Sequence, residues 1–569
     1  MNSCPFPSLL LILFFTAGTL CFADEESVRS QIQKWVQQLG DESYLVRQRA
    51  ESLLNRTGIQ AYPELQRAKQ SADIEVARRA EYILSQIEQA FRDTENREAA
   101  FWIHHYMMVS NPAEKAQTIW ALASPFLDLT KGEGLPTLCR LVRFEENDAL
   151  RVETAKTLIA SPPTSPMARQ RWYQSIRDNL QSTGNDEWLQ CVADYAQLWC
   201  DLNDANVRTT SALQERVRQV GMATFRLLET SEHRIQIGST TDILLYYAVA
   251  ELQDAAGLTE EREKTVAAAL AIEPKPIQTI TPLEQIDVLF GDLLMNEHFY
   301  AGLYLKQCYR IHWAMAHFQK VMDTGDIALR IKASEFAAES AIYLAEFATA
   351  ATLFSKHIEM LRGTDHLRND AESLISQAER RRAYCLAEKA AEEENWARVR
   401  DIIVQVWAAE PPGHRDLWGD GGDIDLVIMA HRLGKQIPNF ESEFKDVMAS
   451  QLKKTWNSII ADIDDPFPDM RQKKMVNAFN TAAWLLANMD GDYHSALTLI
   501  EATLKIEPEE IGIQDTLAHV YFLGGNVDDA IRVQEQVVRA APDVVSFQRA
   551  LERFKNGKTN GSGTESRMP

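Results

Sequence analysis

The sequence predicts an all-α protein, a superhelix (solenoid) of helix-turn-helix repeats. Three observations lead to this fold class. Glycine and proline are scarce, at 25 and 20 of 569 residues, about 8% together where roughly 12% is usual. Apolar stripes with helical spacing recur along the whole chain. Two sets of these stripes return at fixed intervals, one of 30 residues and one of 34.

The first 23 residues predict a signal peptide. Residues 9–15, LLLILFF, are too short to span a membrane, and Cys21 and Ala23 occupy the small-residue positions of a signal-peptidase site. We therefore expect cleavage after Ala23 and export to the periplasm or the medium. The segment before the apolar run has no Lys or Arg, so an uncleaved anchor is the alternative. The rest of the sequence predicts no membrane segment.

The part from residue 24 to residue 160 shows the shorter repeat. Residues 44–54, YLVRQRAESLL, superpose on residues 74–84, IEVARRAEYIL, and a weaker copy follows at 149–159. The matched pairs are Val46 with Val76, Arg49 with Arg79, Ala50 with Ala80 and Leu54 with Leu84. Such a one-sided stripe is buried only against a neighbouring helix. This pattern resembles HEAT-like helical repeats.

The C-terminal part shows the longer repeat. Residues that match at a spacing of 34 include Pro508 and Pro542, Ala496 and Ala530, Trp484 and Ala518, and Gly491 and Gly525. This spacing and these residue types resemble the tetratricopeptide repeat, over about residues 240 to 555. Within it, the sequence LGGN at 523–526 falls at the turn between two helices. An elbow explains the recurring glycine, whereas a phosphate-binding loop does not.

These patterns divide the chain into seven predicted segments. They are a signal peptide (1–23), HEAT-like repeats (24–160), a helical bridge (161–235), degenerate tetratricopeptide-like repeats (236–410), irregular loops and helices (411–475), two clear tetratricopeptide units (476–555) and a disordered tail (556–569).

Composition and motifs argue against several kinds of chemistry. The formal net charge of −22 at pH 7 repels phosphate backbones, so we expect no nucleic-acid partner. The five cysteines after residue 23 contain no CxxC motif, and the chain lacks the HExxH, GxSxG and P-loop motifs. We therefore expect no catalytic residues, no cofactor and no metal site, and thus no enzyme.

One acidic loop contains the carboxylates that a calcium site needs. Residues 418–425, WGDGGDID, place Asp420, Asp423 and Asp425 among glycines. An EF-hand calcium loop needs acidic residues at positions one, three and five and a glutamate at position twelve, which this spacing does not provide. We interpret the segment as a solvated turn, with an ion site as the alternative.

The family resemblance implies where a ligand would bind. In tetratricopeptide repeats the concave side of each first helix lines a peptide groove. The resemblance places these residues there: Phe299, Lys306, Glu335, Glu339, Arg381, Tyr384, Asp515 and His519. Mixed charge with two aromatic side chains suits a peptide segment. The alternative is that they merely face solvent.

The expected function is therefore a non-catalytic scaffold or adaptor that binds a protein or peptide outside the cytoplasm. Two alternatives stay open. The first is an enzyme with an irregular site in residues 411–475, and the second is an envelope protein that associates with copies of itself. The sequence does not identify the partner or the oligomeric state.

Overall fold

A computed structural model describes most of the chain. The described ranges are 22–89, 111–123, 147–180, 187–204, 210–229, 240–273, 296–363, 371–409, 421–437, 468–489 and 491–561, with isolated positions between 102 and 145 and between 440 and 457. The predicted signal peptide (1–23) and the predicted disordered tail (556–569) lie mostly outside the described residues and stay predictions there. The last helix runs over Val545–Gly561, so the described part of the predicted tail, 556–561, is helical and not disordered.

The protein is all-α, as the sequence predicts: the described ranges contain 23 α-helices, one short 3-10 helix (Gly58–Ala61) and no strand. The helices are α1 Phe22–Gln38, α2 Tyr44–Thr57, α3 Tyr62–Ala68, α4 Ile74–Gln89, α5 Pro112–Ala123, α6 Asp148–Ala160, α7 Pro166–Leu180, α8 Glu187–Asn203, α9 Ser211–Glu229, α10 Thr240–Ala255, α11 Thr259–Ala271, α12 Glu297–Gln307, α13 Ile311–Thr324, α14 Ile327–Tyr343, α15 Phe347–Arg362, α16 Ala371–Glu392, α17 Trp396–Ala409, α18 Gly421–Gln436, α19 Pro468–Asn488, α20 Tyr493–Leu504, α21 Ile511–Leu523, α22 Val527–Ala540 and α23 Val545–Gly561.

The helices form two compact units. The N-terminal unit comprises residues 1–163, 170–237 and 244–265, and the C-terminal unit comprises residues 164–169, 238–243 and 266–569. Helices that follow each other in sequence pack side by side, as in an α-solenoid. None of the described helices is both long and apolar enough to cross a membrane.

The N-terminal unit buries the stripes of the shorter repeat. Ala50 and Leu54 of α2 and the matching Ala80 and Leu84 of α4 lie in one apolar cluster. The third copy follows the same rule in α6, where Ala155 is completely buried. Arg79, the polar residue that repeats with Arg49, lies outside this cluster and donates hydrogen bonds to Glu75 and Glu51. The apolar residues that recur every 30 positions are therefore the ones that pack the helices of this unit together.

The C-terminal unit buries the stripes of the longer repeat. Ala496, Ala518 and Ala530, all small residues of the 34-residue pattern, are completely buried between helices. Ala530 of α22 and Ala518 of α21 share a cluster with Phe554 of α23. Alanine at these positions lets neighbouring helices approach closely, which explains why the residue type recurs.

Five of the helix-to-helix elbows share one backbone conformation. Positive φ angles occur at Gly257 (71°), Tyr309 (56°), Ala345 (55°), Glu394 (54°) and Gly525 (76°). At each of them the next amide donates to the carbonyl five residues before it, over 2.8–2.9 Å. This is the Schellman turn that ends a helix. The LGGN segment is thus an elbow, as predicted.

Gly491 does not repeat this conformation, although it lies 34 residues before Gly525. Its φ is not among the positive values of the described glycines. Its amide donates to Leu486, which is the hydrogen bond that Asn526 makes in the later elbow. The earlier elbow is therefore shifted by one residue, and sequence spacing alone does not reveal such a shift.

We expect Gly525→Ala to lower the free energy of unfolding by about 1 kcal/mol, because an L-residue with a side chain is strained at this φ. No atom lies within 4 Å of the added methyl carbon, so the effect comes from the backbone alone. Urea unfolding of the variant measures it. A variant as stable as the wild type would contradict the conformational argument.

Candidate functional site

Three of the predicted groove residues meet in one ion network. Lys306 of α12 donates through Nζ to Oε2 of Glu339 at 2.7 Å, and Arg381 of α16 donates to the other carboxylate oxygen. Glu339 lies on α14, so the network joins the first helices of three hairpins. The side chains are only 18% (Lys306) and 21% (Glu339 and Arg381) exposed. The inner row, as we call these three residues, is therefore largely paired within itself.

The charges of the inner row stabilise one another. Burial alone would raise the pKa of Glu339, but Lys306 and Arg381 outweigh it and hold this pKa below its usual value. Burial likewise opposes the charge of Lys306, and Glu339 more than compensates, so the pKa of Lys306 is raised. Glu339 and Lys306 therefore both stay ionised at neutral pH.

Two aromatic rings lie close to the ammonium group of Lys306. Its Nζ lies 5.1 Å from the ring centre of Phe336 and 5.7 Å from that of Tyr343, both within cation–π range. Phe299, another predicted groove residue, is buried and packs edge-on against Phe336 at 5.8 Å. Phe299 thus supports the inner row from the core.

The other predicted residues of the middle repeats lie near the inner row. Glu335 accepts from Lys332 at 3.1 Å, one turn along α14. The ring of Tyr384 packs edge-on against Phe347 at 6.2 Å. Burial, together with Asp425 and Glu388, raises the pKa of Tyr384 well above its usual value. Tyr384 is therefore a neutral phenol beside carboxylates.

Asp515 and His519 occupy the same face of α21 further along the chain. Asp515 is buried and accepts from Gln534 at 2.7 Å, and burial raises its pKa to about 7. His519 is buried between Trp484 (4.6 Å) and Phe554 (5.2 Å). Burial, with Arg553 and Arg432, lowers the pKa of His519 far below the usual value, so the ring is neutral.

One ring nitrogen of His519 lies within hydrogen-bond distance of both an acceptor and a donor. Its Nδ1 lies 3.2 Å from Oδ1 of Asn488, an acceptor, and 3.0 Å from Nη2 of Arg553, a donor. One ring nitrogen satisfies only one of these neighbours at a time. The choice of tautomer therefore decides whether the guanidinium of Arg553 or the amide of Asn488 is bound.

The sequence did not predict that two carboxylates, Glu388 and Asp425, lie near each other. Glu388 follows Arg381 and Tyr384 on one face of α16, at positions i, i+3 and i+7. Burial, with the neighbouring charge of Glu388, raises the pKa of Asp425 to about 7. Arg432 lies 3.8 Å from Glu388. Helical spacing from Arg381 would have indicated Glu388, but no sequence signal connects it with Asp425.

A cavity of about 250 Å³ opens beside Lys306. Its walls come from three stretches of the C-terminal unit: Thr164 and Ser165, then Lys306, Gln307, Tyr309 and Tyr343, and then Glu509, Glu510 and Ile511. Tyr309 donates to Glu510 at 3.2 Å, and Ser165 donates to Glu509 at 3.3 Å. The cavity offers hydroxyl groups, carboxylates and one ammonium group around two aromatic rings.

Several groups outside the inner row bear on metal and thiol chemistry. In the ranges that the structure describes, no three His, Cys, Asp or Glu side chains form a possible metal site. Burial raises the pKa of the thiols of Cys191 to about 11 and of Cys385 to about 12, so neither is a thiolate nucleophile at neutral pH. Asp425 of the predicted acidic turn lies in α18 and interacts with Glu388. Asp420 lies outside the described residues.

No model of a protein family matches the chain, and no curated protein matches it.

Proposed function

We propose that this protein is a non-catalytic scaffold or adaptor of the tetratricopeptide and HEAT-like repeat type. It binds a segment of another protein, or an extended peptide, along the inner row of its C-terminal unit. The predicted signal peptide adds the proposal that it acts outside the cytoplasm. The inner row supports this proposal, because it joins charged groups from three successive hairpins and its Lys306 also lines a polar cavity.

The chemistry of this surface suits a peptide. Opposite charges alternate along the inner row, so a peptide with side chains of both signs meets a complementary charge at each hairpin. The adjoining cavity is too small for a protein domain, and its hydroxyl and aromatic walls suit a single side chain. Peptide contacts spread over several repeats are the general mode of solenoid proteins.

Binding of the full chain to an array of peptides with varied sequence tests this proposal. Arg381→Gln is expected to weaken the selected peptides at least tenfold, because it removes one cation of the inner row while Lys306 still neutralises Glu339. The matched control is Arg398→Gln, an exposed arginine of α17. Equal affinities of the two variants for every selected peptide would contradict the proposal.

A further inference from the structure

The C-terminal unit contains a contact that its repeat architecture does not require. Stacked helical hairpins usually touch only their neighbours. Here the beginning of the array packs against its end, across what we call the seam. One side of the seam comprises Tyr309, Ile311 and Leu344, and the other comprises Ile511, Val537, Ala541, Val544 and Phe547. The C-terminal unit therefore closes on itself.

The seam combines an apolar contact with a polar one. Ile311, Val537 and Val544 are completely buried in it. The ring of Tyr309 lies 6.2 Å from that of Phe547, and its hydroxyl donates to Glu510, a residue 201 positions later. Tyr309 is thus the residue of the first hairpin that makes both kinds of contact with the last ones.

The backbone of Tyr309 is strained in this position. It takes the left-handed conformation, with φ of 56°, at an elbow where Gly257 and Gly525 occupy the same place in other hairpins. Such a conformation costs a residue with a side chain on the order of 1 kcal/mol. Ala345 and Glu394 take the same conformation in their own elbows, so the turn itself sets the backbone from which the ring of Tyr309 reaches the seam.

Packing at the seam is also incomplete. The cavity of about 250 Å³ has walls from both sides, with Tyr309 on one side and Glu510 and Ile511 on the other. By contrast, the last hairpins have a core of their own, in which Ala530 and Val533 pack against Phe554. None of these core residues belongs to the seam.

We propose that the seam is a clasp, which opens and closes while the helices on each side of it stay folded. In the closed form the inner row pairs with itself and is mostly covered. Opening gives an extended chain lateral access to that row. This last step rests on the function proposed above, whereas the opening itself does not.

Cysteine labelling of the full-length protein tests the clasp without any partner. Val544→Cys places a thiol in the seam, and Val533→Cys places one in the core of the last hairpins; both valines are buried. Mass spectrometry locates the label and separates it from the native cysteines. We expect labelling at position 544 to be at least tenfold faster than at 533. Adding Tyr309→Gly is expected to accelerate labelling at 544 a further tenfold and to leave 533 unchanged.

Two outcomes would overturn the clasp. Equal labelling rates at positions 544 and 533 mean that the seam opens only when the whole unit unfolds. A labelling rate at position 544 that is the same with and without Tyr309→Gly means that only the turn around residue 544 frays. Hydrogen exchange provides a check without cysteine variants: Tyr309→Gly is expected to accelerate exchange of the amides of 544–548 relative to the wild type and to leave those of 530–537 unchanged. Since no peptide is present, failure here leaves the peptide-binding proposal standing, and the reverse also holds.

Discussion

Glu339→Ala is expected to destabilise the C-terminal unit by about 3 kcal/mol or more. The substitution leaves Lys306 and Arg381 without the carboxylate that both of them bind, in a region where each side chain is about four-fifths covered. Removing one member of a buried ion network typically costs 3–5 kcal/mol, because the remaining charge loses its partner and is not rehydrated. Here two like charges remain near each other. Urea unfolding of the full chain measures the loss.

The matched control for this prediction is Glu359→Ala, which removes an exposed glutamate from α15. We expect the control to change the free energy of unfolding by less than about 0.5 kcal/mol. Glu339→Gln is informative as well, since it keeps the shape of the side chain and removes the charge. If Glu339→Ala proved no worse than the control, the inner row would be a set of solvated charges.

Asp515→Asn is expected to stabilise the protein at pH 8 by roughly 4 kcal/mol and to have little effect near pH 4. The buried carboxyl group has a pKa of about 7 in the folded protein, against about 3.9 for an unfolded aspartate. At pH values between about 3.9 and 7, the carboxyl group of Asp515 is protonated in the folded protein and ionised in the unfolded chain. The contribution of Asp515 to stability is thus present below pH 4 and disappears as the pH rises through 7.

Measuring the difference between wild type and variant isolates this group. His317 and His519 have lowered pKa values because they are buried, and they change stability in the opposite direction over part of the same range. Their contributions cancel when two chains with the same histidines are compared at each pH. Asp529→Asn, an exposed site on α22, is the control. A difference that stays constant from pH 4 to pH 8 would refute the buried, protonated Asp515.

Much of the fold follows from the sequence. The matched alanines at 50 and 80 in one array, and at 496 and 530 in the other, are completely buried in the structure. Their spacing is informative because each helix repeats the same small contact with its neighbour. The elbow at Gly525 followed from the same logic. Local periodicity therefore suffices for the all-α fold and for the buried side of each helix.

The arrangement of the candidate site was only partly predictable. The resemblance to tetratricopeptide repeats placed Lys306, Glu339 and Arg381 on equivalent faces, but it did not show that they pair with one another. It also gave no hint that Asp425 approaches Glu388, because no repeat relates these two positions. The seam was equally hidden, since Tyr309 and Glu510 are 201 residues apart. Pairings of this kind depend on the superhelical winding of the unit, to which many small angles contribute.

The seam also has a consequence for biosynthesis. The hairpins form from local contacts, whereas the seam joins residues separated by 201 positions, so it closes late in folding. At a synthesis rate of about 5–20 residues per second, roughly 10–40 s pass between the appearance of Tyr309 and that of Glu510. During this interval the apolar surface around Ile311 and Leu344 has no cover. An unfinished chain therefore presents an aggregation-prone surface that the completed protein conceals.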